Sequence, residues 1–214
     1  MDVLITGANR GIGAALKTGF AARGDKVFGT ARGHEGFLEL DVANPQAHRD
    51  LAAQLEGQAL DVVVCNAGVY LDKGQSLADG YAPEMWAQSF AVNVTGVFLT
   101  IQALLPNLQM AASPRIAIIS SQMASDTRAP GGSYIYRASK AAALNLGRNL
   151  AVDLKGQGIA VGIYHPGWVR TDMGGSTADI SEQEAAEGLI ARIDALSLET
   201  TGCFETWDGR AHPF

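Results

Sequence analysis

The sequence predicts a doubly wound α/β fold, a mostly parallel sheet with helices on both faces. Three observations carry that prediction. Short apolar runs alternate with longer stretches of helical periodicity along the whole chain. Several of those runs are apolar without interruption, the pattern of strands buried on both faces. A glycine-rich turn joins the first such run to the first helical stretch.

The elements follow in order. Asp2-Val-Leu-Ile-Thr6 reads as a strand, followed by the glycine turn and an apolar-periodic stretch to Gly24. Lys26–Thr30 reads as a second strand and Gly36–Leu40 as a short third, with a helix over Pro45–Leu55. Asp61–Cys65 is an uninterrupted apolar strand. Pro83 opens a long helical stretch to Met110, proline being well placed in a first turn. Arg115–Ile119 is another buried strand, and the helix Tyr134–Lys155 stops at Gly156. A strand over Ile159–Tyr164, a helix over Ser181–Leu196 and a short strand over Cys203–Thr206 complete the chain. No repeat, low-complexity segment or linker divides it, so residues 1–214 read as one domain.

Composition narrows the function. Hydrophobic residues make up 47% and charged residues 18% of the 214, enough to bury a sizeable core and against disorder. The formal net charge is −6 and the basic residues are scattered singly, which argues against nucleic acid as the main partner. Cys65 and Cys203 stand far apart in apolar surroundings, and the four histidines are dispersed, so neither a disulfide framework nor a metal site is predicted. The chain opens directly on an apolar strand, and no apolar run approaches the ~20 residues of a membrane span. The expectation is a soluble, cytoplasmic protein without membrane contact.

Thr6-Gly-Ala-Asn-Arg-Gly-Ile-Gly13 lies between a strand and a helix. Glycines there permit a tight turn and close approach of backbone to a diphosphate, which the amino end of the helix would attract. The spacing is Gly-x-x-x-Gly-x-Gly rather than the common dinucleotide fingerprint. Tyr136 and Lys140 are four apart on a helix, which places them on one face with Cβ atoms roughly 5–6 Å apart. An ammonium beside a phenol would lower its pKa from about 10 and let it exchange protons near neutrality. Alone, such a pair reads as an ordinary surface pair. Ser120-Ser121 and Asn66-Ala67-Gly68, each following a buried strand at the carboxyl edge of the sheet, argue otherwise. Asn93, between two valines in the long helix, is either functional or a satisfied buried amide.

Together these residues resemble the short-chain dehydrogenase/reductase family over nearly the whole chain. The matching pieces are the glycine turn, Asp41-Val42, Cys65-Asn-Ala-Gly68, Asn93-Val-Thr-Gly96, Ser120-Ser121, Tyr136-Arg-Ala-Ser-Lys140 and Pro166-Gly167 through Thr171. Gly131–Lys140, His165–Gly175 and Gly202–Gly209 look most like its C-factor-like carbonyl reductase branch. The resemblance implies a Rossmann-type sheet of about seven strands in the order 3-2-1-4-5-6-7. It implies Tyr136 as acid/base, Lys140 as its partner and a ribose contact, Ser121 as the group polarising a carbonyl, and Asn93 as the holder of a relay water. Gly7, Asn9, Arg10, Gly11, Ile12 and Gly13 would bind the cofactor. Asp41 and Val42 would meet the adenine, and Asn66, Ala67 and Gly68 the adenosine ribose side. Pro166, Gly167, Val169 and Thr171 would frame the nicotinamide.

Departures from the family pattern carry expectations of their own. Ser121 precedes Tyr136 by two residues more than the commonest family spacing, which keeps Ser120 as a rival. Cys65, where the family often has Asn, reads as a buried residue without thiol chemistry. The segment Arg32–Asp41 is too short for the usual helix, so the adenine side should be open, and Thr171–Ser181 leaves little lid. Ala31 stands where NAD-using folds carry an acid, and Arg32 follows it. Arg32 and Arg10 should converge on a 2′-phosphate, with Glu35 the one nearby acid, so NADP(H) is expected, with NAD(H) possible. The expected activity is NADPH-dependent reduction of a small ketone or aldehyde by a homodimer. The alternatives are the same chemistry run as an alcohol dehydrogenase, or a non-catalytic nucleotide-binding signalling protein. Met123, Pro130, Tyr134, His165, Trp168 and Met173 are the candidate pocket residues. Ala141, Ala142 and Gly147 are the small residues on which a helical dimer interface could close.

Overall fold

A computed structural model describes all 214 residues. Its core is one parallel seven-stranded sheet in the order β3-β2-β1-β4-β5-β6-β7. The strands are β1 (Asp2–Ile5), β2 (Lys26–Ala31), β3 (Leu38–Glu39), β4 (Val62–Cys65), β5 (Arg115–Ile119), β6 (Ala160–His165) and β7 (Phe204–Thr206). The helices are α1 (Gly11–Ala22), α2 (Pro45–Gln54), α3 (Pro83–Phe90), α4 (Gly96–Gln109), α5 (Tyr134–Lys155) and α6 (Glu182–Ala195). This is the Rossmann-type order that the sequence resemblance implies.

The strands serve two cores because successive side chains point to opposite faces. Val3, Ile5, Val62, Val64, Ala117 and Ile119 meet Leu16 and Phe20 of α1 and Leu189 and Ile193 of α6. Leu4, Val63, Ile116, Ile118, Val161 and Ile163 pack on the other face against Leu51, Leu104, Leu108, Leu144 and Leu154. Parallel pairing holds that alternation in step, with Leu4 opposite Val63 and Val63 opposite Ile116.

Local chemistry sets the helix ends. Asn44 caps α2 by accepting from Gln46 N–H, with Pro45 behind it. Ser181 and Glu184 form a reciprocal capping box at the start of α6. At Gly147, an added Cβ would lie 2.6 Å from Ile163 and 3.0 Å from Ile118, so α5 seats directly on β5 and β6. Gly147 therefore packs onto the sheet and is not available to a dimer interface.

The stretch from Pro83 is more irregular than a single helix. Residues Ala91–Thr95 form a π-helical turn between α3 and α4, and Asn93 sits in it. The combined run Pro83–Gln109 is long and apolar enough to cross a membrane by length and composition alone, which corrects the expectation of no such run. Here its inner side packs in the core through Val97, Ile101, Leu104 and Leu108. Between β2 and β3 there is no helix, only residues 32–37, as the short segment predicts.

Candidate active site

The carboxyl ends of β1, β4, β5 and β6 converge on one edge, and the site is built from the segments that leave them. After β1, Gly7 (φ 65°) and Gly11 (φ 57°) take left-handed backbone that glycine adopts without strain. Gly13 is needed for a different reason: an added Cβ would lie 2.2 Å from Gly7 O. The turn is braced from below. Asn66 Nδ2 donates to Thr6 O at 3.0 Å and Gly7 O at 3.1 Å, while Thr6 Oγ1 accepts from the Asn66 and Ala67 amides. Asn66 thus shapes the turn through both Nδ2 hydrogens and keeps its Oδ1 free as an acceptor.

The amino end of α1 has no side-chain cap and no acidic residue in its first turn. Its free N–H groups and positive dipole end therefore face the cradle, which fits the diphosphate of a dinucleotide. Thr171 closes over it, its methyl 3.6 Å from where a Gly11 Cβ would be. Ile12 packs beneath the turn, and Val169 is buried and bridged to Ile180. Pro166 leads into Gly167 (φ 90°), where a Cβ would strike Ile180 at 2.6 Å.

On the adenine side, Asp41 Oδ1 accepts from Ala43 N–H, and Val42 is mostly core. Of the two arginines expected there, Arg10 is engaged by an acid across the cradle. Arg10 pairs with Asp172 at 2.8 Å, both side chains largely exposed, while Asn9 meets His34 at 3.0 Å. The acid at the end of β2 is Glu39 rather than Glu35: its carboxylate accepts from Gly33 N–H at 2.7 Å. Glu39 projects from β3, whose pairing with β2 brings it there.

At the catalytic end, Tyr136 and Lys140 both turn inward and are buried. Lys140 Nζ donates to Ile119 O at 2.9 Å and lies 5.7 Å from the Tyr136 ring centre. Ser121 Oγ accepts from Met123 N–H and hydrogen-bonds the Tyr136 phenol, whereas Ser120 Oγ donates to Lys140 O at 3.1 Å. Ser121 thus faces the phenol and Ser120 braces the helix. Gly68 lies beside this group: a Cβ there would be 3.3 Å from Asn93 Oδ1 and 3.4 Å from Lys140 Nζ. That places Gly68 beside Asn93 and Lys140. Asn93 Oδ1 accepts from Val69 N–H, and its Nδ2 donates to Val69 O and Ser139 Oγ, each at 2.9 Å. Its amide is a satisfied clamp, with both Nδ2 hydrogens engaged.

Charge behaviour differs from the expectation drawn from the four-residue spacing. Burial pushes the Tyr136 phenol up to about 12, ahead of the opposing hydrogen bond from Ser121. Burial also lowers Lys140 to about 8. The ammonium sits over the ring and on a carbonyl rather than at the hydroxyl, so it does not lower the phenol. Cys65 is pushed up to about 12 by burial and is chemically inert there.

Tyr70 was not legible in the sequence as part of the site, whereas Met173 is among the expected pocket residues. Tyr70 stacks on Tyr136 with ring centres 4.2 Å apart. Met173 Sδ comes within 4.0 Å of the Tyr136 hydroxyl, so the short segment after Thr171 does cover the site. Among the pocket candidates, His165 and Trp168 line a cavity of about 360 Å³ with Gln122, Arg128 and His212. Burial lowers His165 to about 4, leaving it neutral near pH 7. No group of three or more His, Cys, Asp or Glu is placed to hold a metal.

Residues 2–182 match the family model described as short chain dehydrogenase. The chain is 36% identical to C-signal of Myxococcus xanthus over 72% of this chain and 93% of that one. It is 35% identical to 1-hydroxy-2-glutathionyl-2-methyl-3-butene dehydrogenase of a Rhodococcus strain, over 97% and 96% of the two chains. The NADPH-bound carbonyl reductase from chicken fatty liver superposes with a TM-score of 0.91 at 29% identity, covering 100% of this chain and 98% of that one. The chain belongs to the short-chain dehydrogenase/reductase family, in its C-factor-like branch, and is an NAD(P)(H)-dependent oxidoreductase acting on the CH–OH/C=O couple.

Proposed function

We propose that this chain is an NADPH-dependent carbonyl reductase that reduces a small ketone or aldehyde, with Tyr136 as the proton donor. The observation that carries this reading is the buried Tyr136 phenol set against Ser121, with Lys140 over its ring and burial raising its hold on the proton. A group that keeps its proton until an alkoxide develops beside it is suited to donation. The bound nicotinamide supplies hydride. Ser121, next to the phenol, orients and polarises the carbonyl oxygen toward Tyr136. Lys140, buried one turn along, holds the nicotinamide ribose. Asn93 keeps Val69 and Ser139 in place beside them. Met173 excludes water from the hydroxyl.

NADP(H) is favoured by Arg32 at the end of β2 and by Arg10, whose exposed pair with Asp172 can open toward a phosphate. The similar chicken carbonyl reductase is described as NADPH-bound. A homodimer is also proposed, closing on the outer faces of α4 and α5, where Phe98 and Val152 are exposed. Light scattering at micromolar concentration should give twice the 22.4 kDa chain mass; a monomer rejects it.

The test of function is a panel of ketones, aldehydes and alcohols with each cofactor, run on wild type and Tyr136→Phe. The variant should fold and bind cofactor while turnover falls by roughly two to four orders of magnitude. Near wild-type turnover of the variant on the best substrate removes Tyr136 from the role.

A further inference from the structure

Helix α5, which carries Tyr136 and Lys140, has no cap of its own. Ser133 precedes it in left-handed backbone (φ 49°) and makes no capping bond. Its hydroxyl meets Tyr70 Oη at 2.5 Å instead. The free amides of the first turn are answered from the segment that follows β4. Asp72 is fully buried, and its carboxylate accepts from Ile135 N–H at 2.8 Å and from Tyr136 N–H at 3.2 Å. No lysine, arginine or histidine forms a salt bridge with it. A buried carboxylate without a cationic partner is unfavourable. Two main-chain donors and the positive end of a 22-residue helix offset that cost.

One of those donors belongs to Tyr136 itself. We propose that Asp72 is a positioning residue for the proton donor: its carboxylate fixes the first turn of α5 and, through the Tyr136 amide, the place of the phenol. The inference deepens the carbonyl reductase reading and rests on Tyr136 as donor.

The surroundings of Tyr136 leave few other candidates for this work. Tyr70 stacks on its ring, Ser121 meets its hydroxyl, Met173 covers it, and Lys140 lies over the ring from the same helix. Of these facing groups only Asp72 and Lys140 carry charge. Asp72 strengthens the hold of the phenol on its proton, as do burial and Tyr70. A carboxylate at the base of a proton donor favours the protonated resting state, which is the state carbonyl reduction consumes. The run 68–72 also brings Tyr70 to the ring and Val69 to Asn93, so one short loop supplies cap, stack and clamp.

Asp72→Asn keeps the size and one acceptor oxygen but removes the charge. With NADPH and a reducible ketone, the basic limb of kcat/KM against pH should move down by roughly half a unit or more, with kcat reduced severalfold. The near-ultraviolet tyrosinate absorbance of Tyr136, taken as the difference from a Tyr136→Phe background, should titrate lower by the same amount. A folded variant with both titrations unmoved overturns the proposal and leaves Asp72 a cap only. Should Asp72→Asn fail to fold, Asp72→Glu keeps the charge and displaces its oxygens. A kcat lower by about fivefold or more, with the limb in place, is then expected, and an unchanged kcat overturns the proposal. Turnover surviving in Tyr136→Phe would instead defeat the donor reading, and the absorbance titration would still judge Asp72.

Discussion

The two ends of the site are built on different principles. The cofactor cradle is a backbone construction, in which Gly7, Gly11 and Gly13 make room and the uncapped amino end of α1 supplies donors. Its charged side chains, Arg10 and Asp172, lie in solvent and pair loosely. The catalytic end is a side-chain construction. Tyr136, Lys140, Asp72 and Asn93 are all buried and fixed by named partners from distant segments. The comparison teaches where charge matters. Exposed pairs can rearrange at little cost, whereas the buried groups have their proton affinities set by where they sit.

The comparison breaks most sharply at Gly13. Gly13→Ala would force a Cβ against Gly7 O, and the turn cannot yield without leaving the brace from Asn66. A loss of more than about 3 kcal/mol in denaturant unfolding is expected, together with loss of cofactor binding by titration. A Gly13→Ala variant of wild-type stability would show that the cradle is not backbone-limited.

At the other end, Lys140 binds its proton less tightly in the folded chain than in the unfolded one, about 8 against 10.5. The unfolded chain then holds more protons between those values, so stability should rise with pH from about 8 toward 10. Above 10 the raised Tyr136 and Tyr164 phenols act in the opposite sense, because the folded state resists losing their protons. Lys140→Met should remove the rise and make the protein more stable near pH 7, by on the order of 3 kcal/mol before repacking, while abolishing turnover. Urea midpoints across pH 7–10 decide it, and an identical slope in both proteins rejects the buried-charge account.

Cofactor choice lies between these extremes. Arg32→Ala should lower the kcat/KM preference for NADPH over NADH by roughly tenfold to a hundredfold, the worth of a charge-assisted contact of ~1.5–3 kcal/mol. A ratio that does not move leaves Arg32 without a phosphate contact. The smallest effect is expected at Asp172→Ala, which frees Arg10. NADPH affinity should tighten by less than about fivefold, since an exposed pair is worth under ~1 kcal/mol. A large change would mean that Arg10 is held far more firmly than its exposure suggests.

The same contrast explains what can be read from the chain. The glycine turn, the Tyr136–Lys140 spacing and the order of elements are legible because each is local: a few consecutive residues carry it. Helix α5 and strand β5 fall on the residues that periodicity and apolar runs indicate. Asp72 is invisible because nothing in Leu71-Asp72-Lys73 marks a cap for a helix more than sixty residues on. Tyr70 escapes for the same reason. Asn66 and Gly68 carry the motif of cofactor contacts, yet motif position does not say which way a side chain turns.

The amino-acid sequence by itself determined the alternation of strand and helix, the glycines that admit a diphosphate and the pairing of phenol with ammonium on one helical face. These follow from periodicity and steric freedom over short stretches of chain. Only the tertiary structure decided which charges are buried and which face water. It drew Arg10 toward Asp172, brought Glu39 beside Gly33, and set Asp72 under the amino end of α5. It also raised the phenol when the local spacing alone would have lowered it. Desolvation depends on everything that packs around a group, and that information is spread over the whole chain.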